Sequence, residues 1–209
     1  MLIGITGYAQ HGKDSSGDVL VKEYGFTKYA FANQLKELAL EINPYVDSEY
    51  TTRLYQLVQD QGWEEAKKNP EVRRFLQVLG TSVRDIVGED AWIRALVTQM
   101  TADGNWDRQG PGYGAAVVIT DVRFPNEAEF IHKFGGELWR VKRFVIRDDP
   151  ETWDTQVLPY DNRIGVEHLS EKLVSSLPAD RVIEAVSLST LQASVMAIMN
   201  DNDVGELSR

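Results

Sequence analysis

The chain has 209 residues, 43% of them hydrophobic, which suits one globular domain with inserted lobes and leaves little room for two. Its 32 Asp and Glu outnumber 22 Lys and Arg, and the net charge of −10 opposes the phosphate attraction on which nucleic-acid binding rests, so no nucleic-acid partner is expected. Cysteine is absent, which excludes disulfides, thiolate metal sites and a cysteine nucleophile; no stretch approaches the roughly 18 to 20 apolar residues of a membrane span, so no membrane partner and a cytoplasmic location are expected.

The first predicted element is a buried strand, Leu2 to Thr6, which runs into Gly7-Tyr8-Ala9-Gln10-His11-Gly12-Lys13-Asp14-Ser15. The G-x-x-x-x-G-K spacing is that of a phosphate-binding loop. Gly7 and Gly12 permit backbone angles closed to other residues, so that amide N–H groups can wrap an anion. The amphipathic stretch after Lys13 predicts a helix whose positive N-terminal end faces the same phosphates, and Lys13 adds a full charge toward the β- and γ-phosphates. Asp14 stands where a Ser or Thr hydroxyl ordinarily reaches magnesium, with Ser15 one residue later, so both are candidate metal ligands and both, with His11, are candidate contacts to a bound nucleotide.

Thr27 to Ala30 predicts a short strand, and Asn33 to Ile42 a helix ended by Pro44. Tyr50 to Gln61 also reads as helical. Pro70 to Val87 is the clearest helix, with Pro70 in its first turn and an apolar stripe through Val72, Phe75, Leu76, Leu79, Val83, Ile86 and Val87. Its polar side carries Arg84, and Gly80 interrupts the stripe, which suggests close approach of a ligand or a second backbone, or a helix boundary. Asp90 to Met100 predicts a further helix bearing Trp92, and Asp103 to Gly114 a turn-rich loop. The largely helical segment 33–114 therefore has the appearance of an inserted substrate-binding lobe between core strands.

Ala115 to Thr120 is a continuous apolar run, as in a buried parallel strand, and Asp121 closes its carboxyl end. An acid there can face the phosphate loop and hold magnesium, as on a Walker B strand, or cap a turn. Arg123 follows, then a helix start at Phe124-Pro125-Asn126-Glu127 and a stop at Gly135-Gly136. Glu137 to Lys142 predicts a strand. Beyond it Arg143 and Arg147, four residues apart, fall on one side of either a strand or a helix and suit a phosphate clamp or a charged surface. Asp148 to Gly165 lacks a sustained apolar period and reads as a cover that excludes water, with Arg163 on it. Val182-Ile183 offers a last core strand, and Leu188 to Met199 a final helix.

Together the GYAQHGKDS loop, FANQLKE from Phe31 to Glu37, LGTSVRDIVGEDAWI from Leu79 to Ile93, TDVRFPNEAE from Thr120 to Glu129, and HLSE from His168 to Glu171 resemble the bacteriophage deoxynucleoside monophosphate kinase family, within the adenylate-kinase-like P-loop kinases. The resemblance implies an α/β fold in three layers with a parallel-sheet core (about 1–32, 115–142 and 179–200), a helical monophosphate-binding insertion (about 33–114) and a lid (about 143–170). It also implies ATP as donor, Mg2+ as cofactor and a deoxynucleoside monophosphate as acceptor, in host cytoplasm if the chain is phage-encoded. By position, Lys36 and Arg84 correspond to acceptor contacts, Asp121 to the metal-facing acid, and Arg123, Arg143 and Arg147, with Lys13, to the charges around the reacting phosphates. Trp92, Glu127, His168 and Glu171 are further candidate substrate contacts. A kinase of another small acceptor such as dephospho-coenzyme A, and a non-catalytic nucleotide switch, stay open, as does a homodimer.

Overall fold

A computed structural model of the chain describes residues 1–148, 155–160 and 173–206. Its chain path divides into two compact units, one of residues 1–30 and 100–209 and one of residues 31–99.

The first unit is built on strand β1 (Leu2–Thr6), in which every residue is buried. Parallel β5 (Val117–Ile119), equally buried, flanks it on one side and β6 (Glu137–Asp148) on the other. β2 (Thr27–Tyr29) pairs with β5 and β8 (Arg181–Ala185) with β6, all parallel, so the core order is β2-β5-β1-β6-β8. The apolar runs read from the sequence as buried strands are buried because helices cover both faces. Helix α1 (Lys13–Tyr24) and the C-terminal helix α7 (Leu188–Glu206) bring Val19, Leu20, Leu191 and Val195 against Ile3, Ile5 and Trp139. On the other face Ile131 of α6 (Pro125–Lys133) lies where a Cβ on Gly4 would come within 2.8 Å of it, so β1 needs glycine there for the helix to pack this closely.

β6 runs six residues past the predicted end at Lys142. Its second half pairs antiparallel with β7 (Thr155–Pro159), in a stretch the sequence presented as irregular cover. Likewise the predicted loop Asp103 to Gly114 contains a small hairpin, β3 (Trp106–Asp107) with β4 (Gly110–Pro111), whose Trp106 stacks on Phe130 of α6 at 5.2 Å between ring centroids.

The second unit contains α2 (Phe31–Ile42), α3 (Leu54–Ala66), α4 (Pro70–Val87) and most of α5 (Ala91–Ala102). It has its own core, in which Ala39, Val46, Leu54, Val58, Ala66 and Val72 are buried. Pro70 stands at the first helical position of α4, as the sequence suggests, and Asn69 caps the helix by accepting the Glu71 N–H at 2.9 Å. α3 starts later than predicted and kinks at Gly62, whose φ of 75° no ordinary helix contains. The helical unit ends at residue 99, so the stretch 100–114 belongs with the sheet rather than with the helices.

Candidate active site

Open parallel sheets present ligands beyond the carboxyl ends of their strands, where the chain departs to opposite sides of the sheet. Here that point is the end of β1, and the phosphate loop occupies it. The loop is shaped by positive φ at Gly7 (150°), Gln10 (62°) and Gly12 (98°), a succession that turns peptide N–H groups into an anion-binding nest. At Gly7 a Cβ would lie 2.6 Å from the Val141 carbonyl oxygen, so the approach to β6 also demands glycine. α1 begins at Lys13, which places a helix N-terminus at the loop. Lys13 is only 7% exposed, and its Nζ donates to the Tyr8 carbonyl at 2.8 Å, folding the ammonium over its own loop.

On one side of the loop, the Thr120 hydroxyl donates to Asp14 Oδ1 at 3.0 Å, tying the first turn of α1 to the end of β5. The next residue is Asp121, half-buried, held in a turn that the Val122 N–H closes onto the Ile5 carbonyl at 3.1 Å. Asp14, in the first turn of α1, and Asp121, in the turn after β5, are oxygen donors of the kind that magnesium takes beside phosphate. Ser15 faces differently. It lines a cavity of about 300 Å3 with Gln10, Gly12, Arg143, Ser187 and Leu188 on the far side of the loop.

That far side is bound to the β6–β7 hairpin. Buried His11 places Nε2 3.2 Å from the Tyr160 carbonyl, while its Nδ1 accepts the Arg143 backbone N–H at 3.3 Å. The Arg143 guanidinium donates to the Gln10 carbonyl at 3.3 Å and lies 4.5 Å from the centre of the Tyr160 ring. The Tyr160 hydroxyl in turn donates to Gln10 Oε1 at 2.9 Å. Burial pushes the His11 pKa below 6.5, further than the Tyr160 and Val141 carbonyls raise it, and the Lys13 and Arg143 cations lower it as well.

No family model matches the chain. It is 31% identical over 159 residues, 71% of this chain and 77% of the other, to a protein of Acanthamoeba polyphaga mimivirus provisionally named a deoxynucleotide monophosphate kinase. The chain belongs to the deoxynucleotide monophosphate kinase family. Among solved structures, this kinase is similar to dephospho-CoA kinase from Campylobacter jejuni (12% identity, 96% of each chain, TM-score 0.46). It is similar also to shikimate kinase from Aquifex aeolicus (12% identity, 98% and 99% covered, TM-score 0.40).

Several sequence-derived candidates of the kinase have other work in the structure. Glu127, expected at the substrate, is 3% exposed, and its Oε2 accepts the Arg123 N–H at 2.7 Å and the Phe124 N–H at 3.0 Å. It therefore caps α6 from its own first turn, and the Pro125-Asn126-Glu127 pattern was the signal for that. Trp92, also expected at the substrate, is 8% exposed and donates its indole N–H to the Gly80 carbonyl at 3.1 Å, which makes it a packing residue of the helical unit. Gly80 meets only the Leu35 side chain, at an ordinary 3.5 Å for an added Cβ, so it does not serve the close approach of a second backbone among the described residues.

Lys36 on α2 places Nζ 5.8 Å from the centre of the Trp63 ring, and Arg84 is half-buried on α4. Arg123 follows Asp121 in the turn before α6. Arg147 lies on β6, its backbone paired with Gln156. Arg163, His168 and Glu171 fall outside the described residues. Sequence reasoning did not single out Gln10, Thr120 or Tyr160 individually, because their partners are 150, 106 and 150 residues away in the chain. Among the described residues no helix is long and apolar enough to cross a membrane.

Proposed function

We propose that this kinase transfers the γ-phosphoryl group of ATP to the phosphate of a deoxynucleoside monophosphate. The observation that carries the reading is the phosphate loop itself, with buried Lys13 at the head of α1 in a chain of this family. An oxygen of the acceptor phosphate attacks the γ-phosphorus in line, the bond from that phosphorus to the β–γ bridging oxygen breaks, and ADP leaves. No covalent enzyme intermediate is needed. The protein's part is positioning and charge. The nest and the α1 N-terminus hold the β- and γ-phosphates, and Lys13 exchanges its bond to the Tyr8 carbonyl for phosphate oxygens as ATP binds.

Asp14 and Asp121 are the residues that would hold Mg2+, which when bound neutralises charge on the β- and γ-phosphates. Asp14 is favoured over Ser15 because its carboxylate is drawn toward β5, whereas Ser15 faces the cavity on the opposite flank. That cavity suits the nucleoside of the donor, with Arg143 at its edge. Lys36 and Arg84 are proposed contacts to the acceptor phosphate, and Arg123 and Arg147 further charges around the transferred group. His168 and Glu171 keep their proposed place at the substrate on the resemblance alone.

Incubation with ATP, magnesium and a deoxynucleoside monophosphate is expected to yield ADP and the deoxynucleoside diphosphate in equal amounts, read by anion-exchange chromatography. ADP without the diphosphate, or phosphorylation of dephospho-coenzyme A alone, contradicts the proposal.

A further inference from the structure

The hydrogen bonds at the crest of the loop fix more than its shape. The Arg143 backbone N–H can only donate, so His11 Nδ1 accepts; the Tyr160 carbonyl can only accept, so the ring proton belongs on Nε2. The ring spans from the phosphate loop to both strands of the hairpin at once, and Gln10 beside it receives the Arg143 guanidinium and the Tyr160 hydroxyl. Arg143 and Tyr160 are themselves joined by a backbone hydrogen bond of 2.8 Å from the Tyr160 N–H to the Arg143 carbonyl. Gln10, His11 and Arg143, which line the cavity beside the loop, therefore belong with Tyr160 to one hydrogen-bonded assembly.

Resting on the donor-site reading above, we propose that His11 is a positioning residue: through an imidazole carrying its proton on Nε2 it latches the phosphate loop to the β6–β7 hairpin, so that ATP binding depends on that tautomer. The groups facing the ring are the Lys13 ammonium from α1, the Arg143 guanidinium from β6, the Tyr8 ring, 5.4 Å away and edge-on, the Tyr160 ring at 6.0 Å, and the Val141 and Tyr160 carbonyls. A second ring proton removes the acceptor that holds the Arg143 N–H and sets a third cation beside Lys13 and Arg143. The latch therefore opens as pH falls below the ordinary histidine value.

The test uses the full chain, His11→Phe, which keeps the ring volume and loses both hydrogen bonds, and His11→Asn, whose amide oxygen stands in for Nδ1. ATP binding with magnesium and no acceptor is measured by calorimetry at about pH 8 and about pH 5.5, either side of the histidine range. Wild type is expected to lose about tenfold in ATP affinity on acidification beyond the change seen in His11→Phe, which corrects for titration of ATP itself. His11→Phe is expected to bind about tenfold more weakly at the higher pH, and His11→Asn to recover part of that loss. Wild-type affinity in His11→Phe at about pH 8, or an unchanged response to acid, overturns the coupling.

The ring itself is read by its 15N shifts, assigned by the signal missing from His11→Phe. An Nε2–H tautomer titrating below 6.5 supports the latch; an Nδ1–H tautomer or a midpoint at 6.5 overturns it. Wild-type protein that binds no ATP overturns the donor-site reading and the coupling with it, while the tautomer judges the latch independently.

Discussion

At Lys13 a buried ammonium, 7% exposed, donates to the Tyr8 carbonyl and stands at the head of α1. Lys13→Met keeps the length and apolar stem and removes the charge. It is expected to fold normally, by circular dichroism and urea unfolding, and to lose about 10²- to 10³-fold in kcat, as for other preorganised charge donors. Two glycines separate what glycine does in this chain. Gly7→Ala meets both a φ of 150° and the Val141 carbonyl at 2.6 Å, and is expected to cost about 1–3 kcal/mol in urea unfolding. Gly80→Ala adds a methyl at ordinary contact distance from Leu35 inside a helix, and is expected to stabilise by up to about 1 kcal/mol. The first requirement was readable from the loop spacing. The second glycine invited a functional reading because sequence registers the helix cost and not the space around it.

Elements that owe their form to local pattern were legible in the sequence. α4 matches its predicted bounds because first-turn Pro and helical period agree, although Ile86 and Val87, read as part of the apolar stripe, are exposed at its last turn. β6 does not, because the charged residues after Lys142 look like the end of a strand until β7 supplies a partner, and that pairing is non-local. Glu127 illustrates the same limit in a site: its acid in the first turn was visible, but which N–H groups it takes up depends on the turn after β5. Removing it in Glu127→Ala leaves the half-buried Arg123 and Phe124 N–H groups short of their side-chain acceptor, and is expected to destabilise the protein by about 2 kcal/mol. Unchanged urea unfolding would contradict the capping role.

For the whole molecule, the sequence disclosed the strand–loop–helix start, the buried parallel strands and the helices of residues 31–99, since each is a matter of period and spacing. It did not disclose the side chains that join the loop to strands more than 100 residues away, because contacts such as Asp14 with Thr120 and His11 with Arg143 exist only once β1 lies between β5 and β6. Folding that places His11 in a site disfavouring its charged form also links stability to pH. Because the folded pKa lies below 6.5, His11 contributes stability above that value and loses it as pH falls from 6.5 through the lower folded pKa. His11→Phe is expected to remove that acid-side slope from the urea midpoint.

The central claim is the acceptor class. Its most direct measurement is the initial rate of ADP formation, by coupled assay, with ATP, magnesium and in turn dGMP, dTMP, dCMP, dAMP and their ribose counterparts. With at least one deoxynucleoside monophosphate the rate is expected to stand well above background ATP hydrolysis; rates indistinguishable from that background across the whole panel would exclude this acceptor class.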